Sequence, residues 1–172
     1  MLQDPLTLYK LIVLYMLNRV NFPMTNAQVS DFILEKGYTN YLTLQQVINE
    51  LAEAKMIILE TIRNRTHLAI TPEGQETLRF FQNRINYAIK EEIDSYFREN
   101  EYVLRNEVSV LADYYYRAGT GEYEAHLVAK ERGICLVDVR LSVPTEEIAE
   151  SICENWQHKN QEIYKYLTEQ LF

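Results

Sequence analysis

Cysteine is scarce in this chain: Cys135 and Cys153 are the only two among 172 residues, and they are far apart. No disulfide framework can be built from them, and a reducing compartment is the simpler reading. Long apolar runs are missing too. The stretch Leu6–Leu17 is interrupted by Thr7 and Lys10, and it falls short of the roughly 18 apolar residues that a spanning helix needs. The start has no charged n-region followed by a small-residue cleavage site, so no secretory signal is expected. A cytoplasmic protein with no membrane contact is the expectation. Basic charge is also in short supply, with a net charge of −8. Residues 1–80 are nearly balanced, seven Lys/Arg against eight Asp/Glu, whereas residues from 101 onward carry seven against thirteen. An acidic C-terminal part repels phosphate backbones, while a balanced N-terminal part can still carry a local basic site.

A chain of this length buries about 70% of the surface its unfolded form exposes, enough for a core without staples. Helix signals open it: Asp4 as N-cap and Pro5 at the first helical position, with Tyr9, Ile12, Val13, Met16, Leu17 and Val20 at helical spacing. Leu8, Leu11 and Tyr15 make the other side apolar as well, so this helix needs cover from beyond a small N-terminal domain. Phe22-Pro23 ends it. Thr25-Asn26-Ala27-Gln28 reads as a capping box for a second helix carrying Val29, Phe32 and Ile33, which Gly37 terminates. A third helix, capped by Thr39 or Asn40, turns Leu44, Val47, Ile48, Leu51 and Met56 inward.

The period then changes. Ile57–Ile62 and Thr66–Ile70 form two β-branched runs around Arg63-Asn64-Arg65, a hairpin with a basic tip. Thr71-Pro72 restarts a helix, and its stripe of Leu78, Phe81, Ile85, Ala88, Ile89, Ile93 and Tyr96 carries it to about Phe97. Three alternating segments follow, turning at Gly119-Thr120-Gly121 and at Glu131-Arg132-Gly133. The first holds Val108, Val110, Ala112, Tyr114 and Tyr116, the second Tyr123 to Ala129, the third Cys135 to Val143. Pro144-Thr145 opens a last helix with Ile148, Ile152, Trp156, Ile163 and Leu167 on one stripe. The expected fold is α+β. Residues 1–80 form a helical domain with a hairpin, 81–100 continue a long linker helix, and 101–172 form a three-stranded antiparallel meander packed on a helix.

The order helix–helix–helix–hairpin–helix over residues 5–97 resembles the winged helix-turn-helix fold of bacterial transcriptional regulators. The segment LTLQQVINELAEAKMIILE (42–60) is similar to a recognition helix running into a first wing strand, and LAITPEGQETL (68–78) resembles the junction that leaves the wing in PadR-type and MarR-type regulators. The whole chain also resembles an uncharacterised bacterial family in which such a domain precedes a small C-terminal α/β domain. The resemblance implies a homodimeric transcriptional regulator that binds double-stranded DNA. In that fold the third helix enters the major groove and the hairpin tip meets backbone or minor groove. Carried onto this chain, Tyr41, Thr43, Gln45, Gln46 and Asn49 become groove contacts, and Arg63, Arg65 and His67 become phosphate or minor-groove contacts. Glu50 and Glu53 on the same helix depart from the basic stripe expected of a strong DNA binder. A protein-binding module without DNA contact is therefore the alternative.

Other chemistry finds little support. Glu150, Glu154, His158 and Glu162 share a helix face, which a metal could use but which reads as a solvated acidic face. No nucleophile and base can be paired, so no enzyme activity and no cofactor are expected. Cys135 and Cys153 read as small buried hydrophobes. Gly119-Thr120-Gly121 lacks the strand-to-helix setting of a phosphate loop. Tyr114, Tyr115 and Tyr116 put rings on both faces of one strand. One face suits the core and the other an interface, with an aromatic ligand pocket as the lesser alternative. A small-molecule effector is compatible with the tail domain, though nothing in the sequence identifies one.

Overall fold

In the computed structural model, which describes residues 4–62 and 64–172, the chain divides into two compact units, the first ending at Arg105 and the second spanning Asn106–Phe172. It is a mixed α+β protein with two three-stranded antiparallel sheets, one in each unit.

The first unit begins with α1 (Pro5–Arg19), whose first turn is held by the Asp4 carboxylate accepting from the Leu6 N–H. Leu11, Ile12, Val13, Leu14, Met16 and Leu17 of α1 are all buried. Its cover includes α5 (Tyr87–Ser109), where Asp94 accepts from the Tyr15 hydroxyl at 3.1 Å and pairs with Arg19 at 2.7 Å. One side of α1 is thus covered within the first unit, while Leu6, Leu8, Tyr9 and Tyr15 are half-buried. A two-residue strand, β1 (Met24–Thr25), leads into α2 (Asn26–Glu35) through the capping box. Gln28 N–H donates to Thr25 Oγ1 at 3.1 Å, and Thr25 N–H donates to Gln28 Oε1 at 3.0 Å. Gly37, at φ 69°, ends α2 in the left-handed conformation that glycine adopts without strain.

Asn40 then caps α3 (Tyr41–Glu53), and Leu44, Val47, Ile48 and Leu51 fill the core as their spacing requires. The hairpin is β2 (Ile57–Ile62) and β3 (Arg65–Ile70), in the order β1-β3-β2, so β3 is the central strand. Asn64 turns the tip at φ 63°. Thr71 caps α4 (Pro72–Phe81), where Gly74 packs directly against the backbone of Met56.

Here the structure departs from the single long helix expected from 71 to 97. Helix α4 stops at Phe81, a 3-10 turn occupies Gln82–Arg84, and α5 starts afresh at Tyr87. Asn86 provides the restart, its Oδ1 accepting from the Ala88 N–H at 2.9 Å. Helix α5 then runs on to Ser109, so Val108 is helical and buried instead of lying on a strand.

In the second unit β4 (Val110–Arg117), β5 (Glu122–Glu131) and β6 (Ile134–Val143) form an antiparallel meander in sequence order. Helix α6 (Glu146–Leu171), capped by Thr145, covers one face. Leu127, Ala129, Val137 and Trp156 form the core beneath it. Trp156 Nε1 donates to the Val128 carbonyl at 3.1 Å, which satisfies the one polar atom of a side chain 2% exposed. A register shift at Ala129/Lys130 pairs Lys130 with Cys135. This leaves Cys135 exposed, not buried as its place in the alternation suggested, whereas Cys153 packs against the core.

Candidate nucleic-acid interface

Helix α3 presents its polar residues on the side opposite the Leu44/Val47/Leu51 stripe, because residues three and four apart share a face. Tyr41, Gln46 and Asn49 are exposed there, and Thr43 is half-buried while its N–H donates to Asn40 Oδ1 at 2.9 Å. Tyr41 is 54% exposed and its neighbour Leu42 80%, so this end of α3 is partly apolar.

Gln45 is placed differently from the expectation. Its amide faces the start of α2, where Asn26 Nδ2 donates to Gln45 Oε1 at 2.9 Å and Gln45 Nε2 donates back to Asn26 Oδ1 at 3.2 Å. Ser30 Oγ adds a donor to the same Asn26 oxygen. Gln45 therefore fixes α3 against α2 and offers its amide to that joint.

Gln46 also has a partner, donating to Glu50 Oε1 at 2.8 Å, while Lys10 of α1 sits 2.6 Å from the other Glu50 oxygen. The Lys10 ammonium first, and then the Gln46 amide, hold the Glu50 carboxyl below its ordinary range. Lys10 had no signal in sequence, since it lies one helix away. The negative end of this small chain is shared between a cation and an amide, both of which could otherwise face a ligand.

On the hairpin, Arg65 is exposed and pairs with Ile62 across the strands. Arg63 lies outside the described residues. His67 corrects the expectation. It is 4% exposed on the central strand, between Thr25 of β1 and Glu60 of β2, and its Nδ1 donates to the Arg65 carbonyl at 3.2 Å. A ring this buried packs inside the first unit and does not reach outward. The residues brought together on an accessible surface are thus Tyr41, Gln46 and Asn49 on α3, with Thr43 partly covered among them, and Arg65 on the hairpin.

Elsewhere in the first unit, an open groove of about 750 Å³ is lined by Phe32, Tyr87, Tyr96, Glu35, Glu91 and Glu99. Beside it the Tyr38 hydroxyl donates to Glu92. In the second unit, the sheet face away from α6 gathers Glu124 with Tyr115, Arg117 and Arg140, and His126 with Asp138. The Tyr115 hydroxyl and then the Arg117 guanidinium keep the Glu124 carboxyl below the usual range. Among the described residues, no group of three or more His, Cys, Asp or Glu is placed to hold a metal ion, and Glu150, Glu154, His158 and Glu162 are simply exposed along α6. Among the same residues no helix is long and apolar enough to cross a membrane.

These features define a two-unit α+β chain with an amide-rich helix face beside an antiparallel hairpin. Residues 9–171 match the family described as Domain of unknown function (DUF4364), and the chain belongs to that family. No curated protein and no solved structure matches it.

Proposed function

We propose that the first unit is a winged helix-turn-helix domain that binds double-stranded DNA, and that the chain acts as a homodimeric transcriptional regulator. The observation that carries this reading is the α2–turn–α3 pair followed at once by the β2–β3 hairpin. Gly37 supplies the turn, the Asn26–Gln45 amide pair locks the joint, and Gln46, Asn49 and Arg65 remain on the outside. Amides suit adenine edges in the major groove, and an exposed arginine on a hairpin suits phosphate or the minor groove. Thr43 and Tyr41 extend the same helix face toward its N-terminus.

Among the described residues no strong basic stripe goes with this face. Glu50 occupies Gln46 and Lys10, and Glu53 and Glu60 are exposed nearby in sequence. That observation favours a second reading, a winged-helix module that docks a protein through Tyr41 and Leu42 instead of DNA. Fluorescence anisotropy with random-sequence duplex DNA at low and physiological salt separates the two. Salt-dependent binding is expected if phosphates are contacted. Absence of binding even at low salt removes the DNA reading and leaves the protein-docking one.

A further inference from the structure

Strand β6 is an edge of its sheet, hydrogen-bonded to β5 alone, and it is ten residues long. Such an edge is a ready template for another strand unless something guards it. Beside it runs an apolar groove of about 350 Å³ between β6 and the end of α6, lined by Leu136, Val139, Tyr164, Leu167, Leu171 and Phe172. Leu171 and Phe172 are more than three-quarters exposed. The guards on the edge are two charges of opposite sign, Asp138 and Arg140, with side chains 50% and 56% exposed.

We propose that a second copy of this chain docks along β6, antiparallel and centred on Val139, joining the two meanders into one six-stranded sheet. The sequence of the strand selects that register. With Val139 facing its own copy, Asp138 stands opposite the second copy's Arg140, and the reverse pair forms symmetrically. Val137 then meets Leu141 on the α6 side, where Leu136, the extra residue at the register shift, also packs. Centring on Asp138 or on Arg140 instead sets like charges against each other. Centring on Val137 puts Leu136 against Asp138 and Ile134 against Arg140. Centring between two residues would set a side chain facing α6 opposite one facing away, which the pleat of an antiparallel pair does not allow. In the Val139 register both helices lie on one face, and the two apolar grooves meet across the twofold axis. This inference deepens the homodimer named in the proposed function and rests on that part of it, not on DNA binding.

The test uses the full chain with C135S and C153A, so that an introduced cysteine reacts alone. In an antiparallel self-pair the central Cα atoms lie about 4.5–5.5 Å apart, within disulfide reach. V139C is expected to give a covalent dimer on mild oxidation, whereas Y115C, on the other edge strand, is expected to give none. Sedimentation equilibrium is expected to show a dimer, weakened about tenfold or more by D138K, which sets two cations against each other at both ends of the axis. A dimer in solution that V139C does not cross-link overturns this surface while leaving the homodimer standing. Cross-linking through Y115C moves the interface to β4 and overturns it equally. A monomer at every concentration overturns both the surface and the homodimer, and the DNA titration then decides the rest on its own.

Discussion

Asn26 and Gln45 exchange amide hydrogen bonds across the joint between α2 and α3, at 2.9 and 3.2 Å. The pair is partly buried, so either partner left alone keeps a polar group short of a bond. Gln45→Ala is therefore expected to destabilise the first unit by about 1 kcal/mol. It should lower affinity for all DNA sequences alike, since it loosens the joint without touching a base. Denaturant titration followed by circular dichroism reads the first effect. A changed base preference with unchanged stability would return Gln45 to the contact surface.

Gln46 and Arg65 should separate as base reader and phosphate contact. Gln46→Ala is expected to relax preference at one base pair of a selected site, at about 1–3 kcal/mol of discrimination. Arg65→Ala is expected to weaken every sequence and to reduce the slope of log affinity against log salt by about 1. Glu50→Gln frees Lys10 and removes the carboxylate from Gln46, so it should raise DNA affinity at low salt. Selection from a random duplex pool, repeated with each variant, checks all three. An E50Q protein that binds no better than wild type would mean that the carboxylate is not what limits binding.

What the sequence disclosed was mostly local. Asp4, the Thr25–Gln28 box, Asn40, Thr71 and Thr145 each act within one helical turn, and each caps the helix that its position announces. The meander was legible because alternation and turn residues are local as well. The break at Gln82–Asn86 was hidden because Leu78, Phe81, Ile85 and Ala88 keep helical spacing across it, and only the Asn86 cap betrays the restart. Strand β1, with two residues, is too short to carry any period. The site was less visible for a related reason. Whether a glutamine faces solvent or an asparagine 19 positions away is settled by tertiary placement, and so is the burial of His67 on the central strand. Residue types nominated Gln45, Gln46 and His67 equally; packing distinguished among them.

Gly74 was legible as part of a junction but not for its reason. A Cβ built there falls 2.1 Å from the Met56 carbonyl oxygen and 2.9 Å from Ile70 Cγ1. That carbonyl is fixed, since it accepts the Thr71 N–H at 3.0 Å. Gly74→Ala must push α4 away from the base of the hairpin, and is expected to cost about 1–3 kcal/mol despite the better helix propensity of alanine. Thermal unfolding compared with Gly119→Ala, where a Cβ meets nothing within 4 Å, isolates the steric effect. Equal stability of the two variants would show that α4 moves freely against the hairpin.

Two tyrosines tie α5 to the rest of the first unit through carboxylates, Tyr15 to Asp94 and Tyr38 to Glu92. Burial first, and then the hydrogen bond to the carboxylate, raises the pKa of each phenol above its ordinary value near 10. In both cases it is the protonated form that the fold favours. The resulting stability is fully present below the unfolded value and is lost as pH rises through the folded one. Stability of the first unit should therefore decline above about pH 10, with ionisation of these phenols placing negative charge beside Asp94 and Glu92. The Y15F/Y38F protein, which keeps the rings but has no proton to lose, is expected to be less stable at neutral pH and to show a shallower alkaline decline. The check is denaturant unfolding at neutral pH and at several points above 10, followed by far-ultraviolet circular dichroism. An unchanged alkaline slope in the double variant would assign the decline to other groups.

Trp156 is the only tryptophan and lies in the second unit, so its fluorescence reports that unit alone. Buried on the sheet-facing side of α6 and bonded to the Val128 carbonyl, it should emit at short wavelength in the native state and shift to the red on unfolding. Trp156→Phe keeps most of the apolar volume but removes the bond to the Val128 carbonyl, an expected loss of about 1 kcal/mol. Trp156→Ala also opens a cavity among Leu127, Ala129 and Val137, and about 3–5 kcal/mol is expected. Since the second unit holds the proposed β6 interface, W156A should also lower the dimer fraction in sedimentation. W156F, with the sheet intact, should leave that fraction close to wild type. If W156A instead unfolds this unit and the protein remains fully dimeric, the surface that joins two copies must lie in the first unit.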